Sequence, residues 1–87
     1  MSNIEKQIQR LLSKPKDYTF AEADSLLRAL GFDLQNKGKT SGSRVKFVRK
    51  TDGRIINLHR PHPEKEMRYA ATIALLNNLK ENGDIHE

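Results

Sequence analysis

Two histidines in the second half of the chain are the side chains best suited to acid–base chemistry at neutral pH. His59 and His62 lie in the segment 58–63 (LHRPHP), where two prolines restrict the backbone near the end of a predicted strand. An imidazole can bind a phosphate, or it can take a proton from one oxygen of a ribose phosphate and return one to another. Alternatively, the segment is a loop that ends the strand and caps the next helix. We treat His59 and His62 as candidate catalytic residues.

Metal and nucleotide sites fit the residue pattern less well. His59 and His62 are separated by a proline, are not at helical spacing, and the chain has no cysteine, so we expect no metal site. The segment 37–40 (KGKT) lacks the earlier glycine and the spacing of a P-loop. We expect no cofactor, and we interpret Lys37 and Lys39 as cations of an exposed loop that approaches a phosphate backbone.

Positive charge is concentrated in the middle third of the chain. The formal charge is +5, and residues 32–62 hold eight Lys or Arg against two Asp or Glu, a local excess of +6. Such an excess is typical of proteins that neutralise phosphates, although cationic strands can also serve only to protect a sheet edge. We therefore predict a nucleic-acid-binding surface. The residues assigned to it are Lys37, Lys39, Ser43, Arg44, Lys46, Asn57 and Arg60.

A β-hairpin organises this basic segment. Residues 44–49 and 54–59 are rich in β-branched and aromatic residues, and Asp52-Gly53 between them is a strong turn signal. The chain has only three Phe and two Tyr, and most of them fit core positions, so few aromatic rings are available to stack on bases. The composition therefore favours recognition of the shape and the phosphates of a structured RNA. Alternation directs Val45, Phe47, Ile56 and Leu58 toward the helices, and Arg44, Lys46, Asn57 and His59 toward solvent.

Helices are predicted on both sides of the hairpin. Capping boxes at residues 2–5 and 19–22 open two helices, which end near Pro15 and Gly31. A third helix follows the prolines and ends near Gly83. Its predicted apolar stripe is Met67, Tyr69, Ala70, Ile73, Leu76 and Leu79.

The predicted elements define a fold class. Residues 32–35 alternate as a short strand, and the polar residues 36–43 form an exposed loop. The resulting α-α-β-β-β-α order predicts an α+β two-layer sandwich, in which a three-stranded antiparallel sheet carries helices on one face. At 87 residues, without cysteine, signal peptide or membrane span, we expect one cytoplasmic domain covering 1–87.

Four short motifs occur in a characteristic order along the chain. They are the segment 26–32 (LLRALGF), the Gly42-Ser43 entry to the hairpin, Asp52-Gly53 at its tip, and the segment 60–67 (RPHPEKEM). In their order and spacing, over about residues 20–85, the chain resembles the HicA family of toxin-antitoxin ribonucleases, which have a fold like that of double-stranded-RNA-binding domains. The resemblance implies cleavage of messenger RNA, inhibition of translation and growth, and control by a HicB-type antitoxin.

One position departs from the family pattern. In family members the Gly-Ser step is typically followed by a histidine on which cleavage depends, and here that position is Arg44. A guanidinium stays protonated, so it can bind phosphate or stabilise developing charge but does not ordinarily act as a base. Three interpretations follow. The chain is a metal-independent ribonuclease in which His59 or His62 supplies the imidazole, an inactive relative that binds RNA, or a protein-interaction module whose basic face docks an acidic partner such as an antitoxin.

The N-terminal helix is additional to the family resemblance. We predict a HicA-like core at residues 19–85 and an extra helix within residues 1–15. This helix either completes the core of a small domain or presents Ile4, Ile8 and Leu11 to a second subunit.

Overall fold

The computed structural model describes residues 3–35, 44–59 and 66–86, which form an α+β fold in the predicted order α-α-β-β-β-α. None of the helices in these three ranges is long and apolar enough to cross a membrane. The helices are α1 (Asn3–Leu12), α2 (Phe20–Ala29) and α3 (Tyr69–Glu81), and the strands are β1 (Asp33–Leu34), β2 (Arg44–Arg49) and β3 (Arg54–His59).

The capping box predicted for α2 is present. The hydroxyl of Thr19 accepts a hydrogen bond from the Glu22 main-chain N–H at 3.1 Å, and the Glu22 carboxylate accepts one from the Thr19 N–H at 2.9 Å. The helix ends just before Gly31, which has φ +99°, a left-handed conformation that favours glycine. Residue 2, the predicted cap of α1, lies outside the described residues.

The sheet has the order β1-β2-β3, with both neighbours antiparallel. The β2–β3 register runs without interruption from the pair Arg44–His59 to the pair Arg49–Arg54. The turn between them closes on a hydrogen bond from the Gly53 N–H to the Arg49 carbonyl at 2.8 Å, with Gly53 at φ +71°. The Asp-Gly turn is therefore confirmed.

One face of the sheet packs against the helices, as the alternation predicted. Phe20 of α2 lies over Phe47 of β2, with ring centroids 6.1 Å apart. Leu11 of α1 is fully buried in the same cluster, so α1 contributes to the core. The buried apolar residues of the hairpin are Val45, Phe47, Ile56 and Leu58.

The apolar stripe predicted for α3 is confirmed at Met67, Leu76 and Leu79 and is wrong at its other three residues. Tyr69, Ala70 and Ile73 are exposed or half-buried, whereas the buried face of the helix is made by Thr72, Leu75, Leu76 and Leu79. Thr72 can lie in the core because its hydroxyl donates to the Arg68 carbonyl at 3.4 Å. The segment is apolar almost all round, so its periodicity does not select a face, and packing does.

Candidate nucleic-acid interface

The outer face of the sheet is the surface that points away from the helices. Lys46 of β2 and Ile55, Asn57 and His59 of β3 are exposed on it, as their alternation with buried neighbours requires. Three of the predicted site residues, Lys46, Asn57 and His59, are thus brought together on one surface. Ile55, 52% exposed, is an outer-face residue that we did not single out from the sequence.

The hydrogen bonds of β2 show how the outer-face residues face one another. The main-chain N–H of Gln35 donates to the carbonyl of Lys46 at 2.8 Å, so the peptide groups of Lys46 face β1 rather than β3. The pair Lys46–Asn57 is therefore a non-hydrogen-bonded pair of the β2–β3 ladder, in which Cα atoms approach to about 4.5 Å and side chains lie closest. Pairs of this kind recur every second residue along the ladder.

Arg44 and His59 form the next pair of the same kind, directly opposite each other at the open end of the hairpin. The alternation places both positions on the outer face. The side chain of Arg44 lies outside what the structure describes, whereas His59 is exposed. The position at which the resemblance expects a histidine is thus directly across the ladder from an imidazole. The separation of 15 residues in the chain does not reveal this, because it depends on the hairpin register.

The remaining predicted site residues cannot be located. They are Lys37, Lys39, Ser43, Arg60 and His62, all outside the described residues.

Two arginines of the basic segment do not contribute to the outer face. Arg49 and Arg54 alternate with the outer-face residues and therefore lie on the helix side of the sheet. Their guanidinium groups lie over the ring of Phe32, with the guanidinium carbons 4.8 and 5.5 Å from the ring centroid. The carboxylate of Asp84, 6% exposed, bridges them: it lies 3.0 Å from Arg49 and pairs directly with Arg54. We call Arg49, Arg54, Asp52 and Asp84 the arginine clamp.

The positive charges of Arg49 and Arg54 are paired with carboxylates within the arginine clamp. Arg49 also donates to both oxygens of Asp52, at 2.8 and 3.1 Å, and to the Leu30 carbonyl at 3.2 Å. The Arg49 guanidinium lowers the pKa of Asp52 to about 2, and that hydrogen bond in turn raises the pKa of Arg49. The charge counted from the sequence therefore overstates the positive charge of the surface. Part of the +6 excess is neutralised within the fold, and Asp84, which lies in the C-terminal third, contributes to this.

The described residues do not assemble a metal site. Across residues 3–35, 44–59 and 66–86, no three side chains of His, Cys, Asp or Glu lie together in a way that could hold an ion. The chemistry that the outer face can perform rests on an imidazole, a lysine and an amide, next to the position of Arg44. This set can bind phosphate oxygens and move a proton.

Comparison with known proteins identifies one family. The sequence model of the family described as "HicA toxin of bacterial toxin-antitoxin" matches residues 20–71, more than half of the chain. The match runs from the start of α2 into α3 and includes the whole hairpin, while α1 lies outside it. No curated protein and no solved structure matches the chain significantly.

Proposed function

Since the chain belongs to the HicA family of bacterial toxin-antitoxin toxins, we propose that it binds RNA on the outer face of its sheet and cleaves messenger RNA, which inhibits translation. An antitoxin of the HicB type restrains it. The observation that carries the proposal is the cross-strand pair Arg44–His59, because it sets an imidazole and a guanidinium position side by side on a solvated sheet face.

RNA binding uses the outer face as a phosphate-binding surface. Lys46 supplies a cation and Asn57, directly across the ladder, an amide that can donate to phosphate or ribose oxygens. The arginine clamp takes no part, since its guanidinium groups are already paired on the helix side. We propose further contacts from the segments that adjoin the hairpin, through Lys37, Lys39, Ser43 and Arg60.

Cleavage follows from the two side chains at the open end of the hairpin. His59 takes the proton of a ribose 2′-hydroxyl, whose oxygen attacks the adjacent phosphorus, and Arg44 stabilises the negative charge that develops on the phosphoryl oxygens. The bond from phosphorus to the 5′-oxygen breaks as the new bond forms, and the leaving oxygen takes a proton from a second acid, for which His62 is the candidate. The products are a 2′,3′-cyclic phosphate and a 5′-hydroxyl.

The test compares RNA binding and cleavage in the same variants. His59→Asn removes the base while keeping size and polarity, and we expect cleavage of messenger RNA to fall by roughly 10²- to 10⁴-fold. RNA affinity should stay within about threefold, since one of several contacts changes. His86→Asn is the matched control, because His86 is also an exposed histidine but lies beside Glu5 and Ile8 of α1 rather than on the outer face. Arg44→Gln and His62→Asn test the other two roles separately.

Two results would overturn the parts of this proposal. If the purified protein binds RNA but leaves messenger RNA intact, it is an inactive relative that acts by binding. If the wild type cleaves and His59→Asn cleaves equally fast, the imidazole of His59 is not the base. Growth arrest on induced expression, relieved by His59→Asn but not by His86→Asn, would link the chemistry to toxicity.

A further inference from the structure

A groove runs between the edge of the sheet and the last helix. It has a volume of about 420 Å³, with β3 as one wall and α3 as the other. The helix wall carries small side chains, Ala71 and Ala74, and the strand wall is flanked by Ile55, which is 52% exposed. An extended peptide that adds to a strand is the kind of ligand that a groove with a strand wall accepts.

The strand wall presents main-chain hydrogen-bonding groups to this groove. β3 is the last strand in the sheet order, and among the described residues it pairs only with β2. Because the pairs Lys46–Asn57 and Val48–Ile55 are of the non-hydrogen-bonded kind, the peptide groups of Asn57 and Ile55 point away from β2. Such an edge is a template for another strand.

Most of this edge carries none of the residue types that commonly prevent pairing. Arg54, the first residue of β3, is an inward-pointing charge, but from Ile55 to His59 there is no lysine, no proline and no inward-pointing charge. The strand side of the groove carries positive charge, since Lys46 lies directly across from Asn57. Just before α3, Arg68 and Glu66 are both exposed and offset each other, and the chain as a whole carries +5.

We propose that this groove binds an extended acidic segment of a partner protein, which adds to β3 as a fourth strand. Its main chain pairs with the outward peptide groups of Ile55 and Asn57. Alternate residues are small and apolar, and they enter the groove against Ala71 and Ala74. The residues between them are Asp or Glu on the outer face, about 10 Å from Lys46 at two strand spacings, which equals one Debye length at an ionic strength of about 0.1 M. This inference does not depend on RNA cleavage.

The test uses a defined peptide and the amide spectrum of the whole protein. The probe is a seven-residue peptide in which Glu and Val alternate, and the control is a peptide of the same composition in which the alternation is scrambled. Titration followed by ¹⁵N–¹H NMR should shift the amides of Ile55 and Asn57 and those of residues 71–78 in α3. The scrambled peptide should bind at least fivefold more weakly, because its acidic and apolar residues no longer alternate between the two sides.

Two further comparisons separate strand addition from attraction between charges. In an added strand, only every second main-chain N–H of the peptide faces β3. N-methylation of that set of peptide nitrogens should therefore abolish the NMR shifts, whereas N-methylation of the other set should leave the affinity of the peptide within about threefold. Ala74→Leu narrows the groove and should weaken binding at least tenfold. Ala29→Leu, at an exposed alanine of α2, is the matched control and should have no effect.

Several outcomes would contradict the proposal. They are the absence of shifts at Ile55 and Asn57, equal binding of both methylated peptides, shifts confined to lysine amides, and an unchanged affinity in Ala74→Leu. If structured RNA rather than the peptide shifts the amides of Ile55 and of residues 71–78, the groove is part of the RNA site instead. Each of these results leaves the cleavage test with His59→Asn unaffected, so the two proposals can fail separately.

Discussion

Asp84 and Arg49 meet at 3.0 Å, so a residue just after α3 is tied to the last residue of β2. Arg54, the first residue of β3, pairs with the other oxygen of the same carboxylate and donates to the Asn78 side chain at 2.7 Å. Both arginine side chains are more than four-fifths buried. One acidic side chain that faces two cations therefore adds to the apolar core in fixing the hairpin relative to the helices.

Replacing the acid of the clamp should destabilise the fold. Asp84→Asn leaves two largely buried guanidinium groups without their shared counter-charge, and we expect the free energy of unfolding to fall by about 2–4 kcal/mol. Urea unfolding followed by circular dichroism measures the change. Glu81→Gln, at an exposed acid of α3, is the control and should change stability by less than about 0.5 kcal/mol. A loss of similar size in both variants would show that the clamp is not a special contact.

Lys46 and Arg54 should differ in their effect on RNA binding. Lys46 lies on the outer face, so Lys46→Gln should remove one phosphate contact and make the slope of log K against log salt concentration less steep by about 0.7–0.9. Arg54 is held in the clamp, so Arg54→Gln should leave that slope unchanged. Both slopes are measured by fluorescence anisotropy at a temperature where circular dichroism shows the variants folded. A flatter slope in Arg54→Gln would place the clamp in the RNA interface.

Two glycines with positive φ should respond differently to alanine. Gly31 has φ +99°, and an added Cβ would lie 3.2 Å from the Arg49 Cδ, whereas Gly83 has φ +79° with open space around it. We expect Gly83→Ala to cost about 1 kcal/mol from backbone strain, and Gly31→Ala to cost about 2–3 kcal/mol, because the clamp arginine must also shift. Thermal and urea unfolding give both values. Equal costs would mean that Arg49 moves aside freely.

Stability should fall in acid because of two carboxylates with lowered pKa. A hydrogen bond from Arg10, supported by the Thr19 N–H, lowers the pKa of Glu22, and the Arg49 guanidinium lowers that of Asp52 to about 2. The unfolded chain has the ordinary values of about 4.3 for Glu and 3.9 for Asp, so it binds more protons than the folded chain as the pH falls below about 5. Both contributions to stability are thus present above pH 5 and decline toward pH 2.

The double variant Glu22→Gln, Asp52→Asn measures these contributions. Its free energy of unfolding should change less steeply between pH 5 and pH 2 than that of the wild type, because two groups that take up protons on unfolding are gone. Glu5→Gln, at an exposed acid in the first turn of α1, serves as the control and should keep the slope of the wild type. An unchanged slope in the double variant would mean that other carboxylates dominate acid unfolding.

Much of the fold could be predicted because its signals are local. The capping box at Thr19 and Glu22, the left-handed Gly31 and the Asp-Gly turn each act within a few residues, and all are found as predicted. The helix face of α3 could not be read in this way. Its residues are apolar on several sides, so the choice of Leu75 over Ile73 for the core depends on where the sheet lies.

The candidate site was predictable in part, for a related reason. Alternation alone placed Lys46, Asn57 and His59 on one face, since successive side chains of a strand point to opposite sides. The same alternation assigns Arg49 and Arg54 to the helix side, but it could not show that their charges are paired there, because their partner Asp84 lies 35 and 30 positions further along the chain.

The sequence by itself determined the element order, the hairpin and the sorting of its side chains between two faces, because these follow from contacts among neighbours in the chain. Only the tertiary structure decided that, among the described cations of the hairpin, Arg49 and Arg54 are paired within the fold whereas Lys46 is exposed on the outer face. It also set His59 directly opposite Arg44 and left β3 at the edge of the sheet beside α3. Those features arise from pairings between residues distant in the chain, whose geometry is set only when the sheet and the helices pack together.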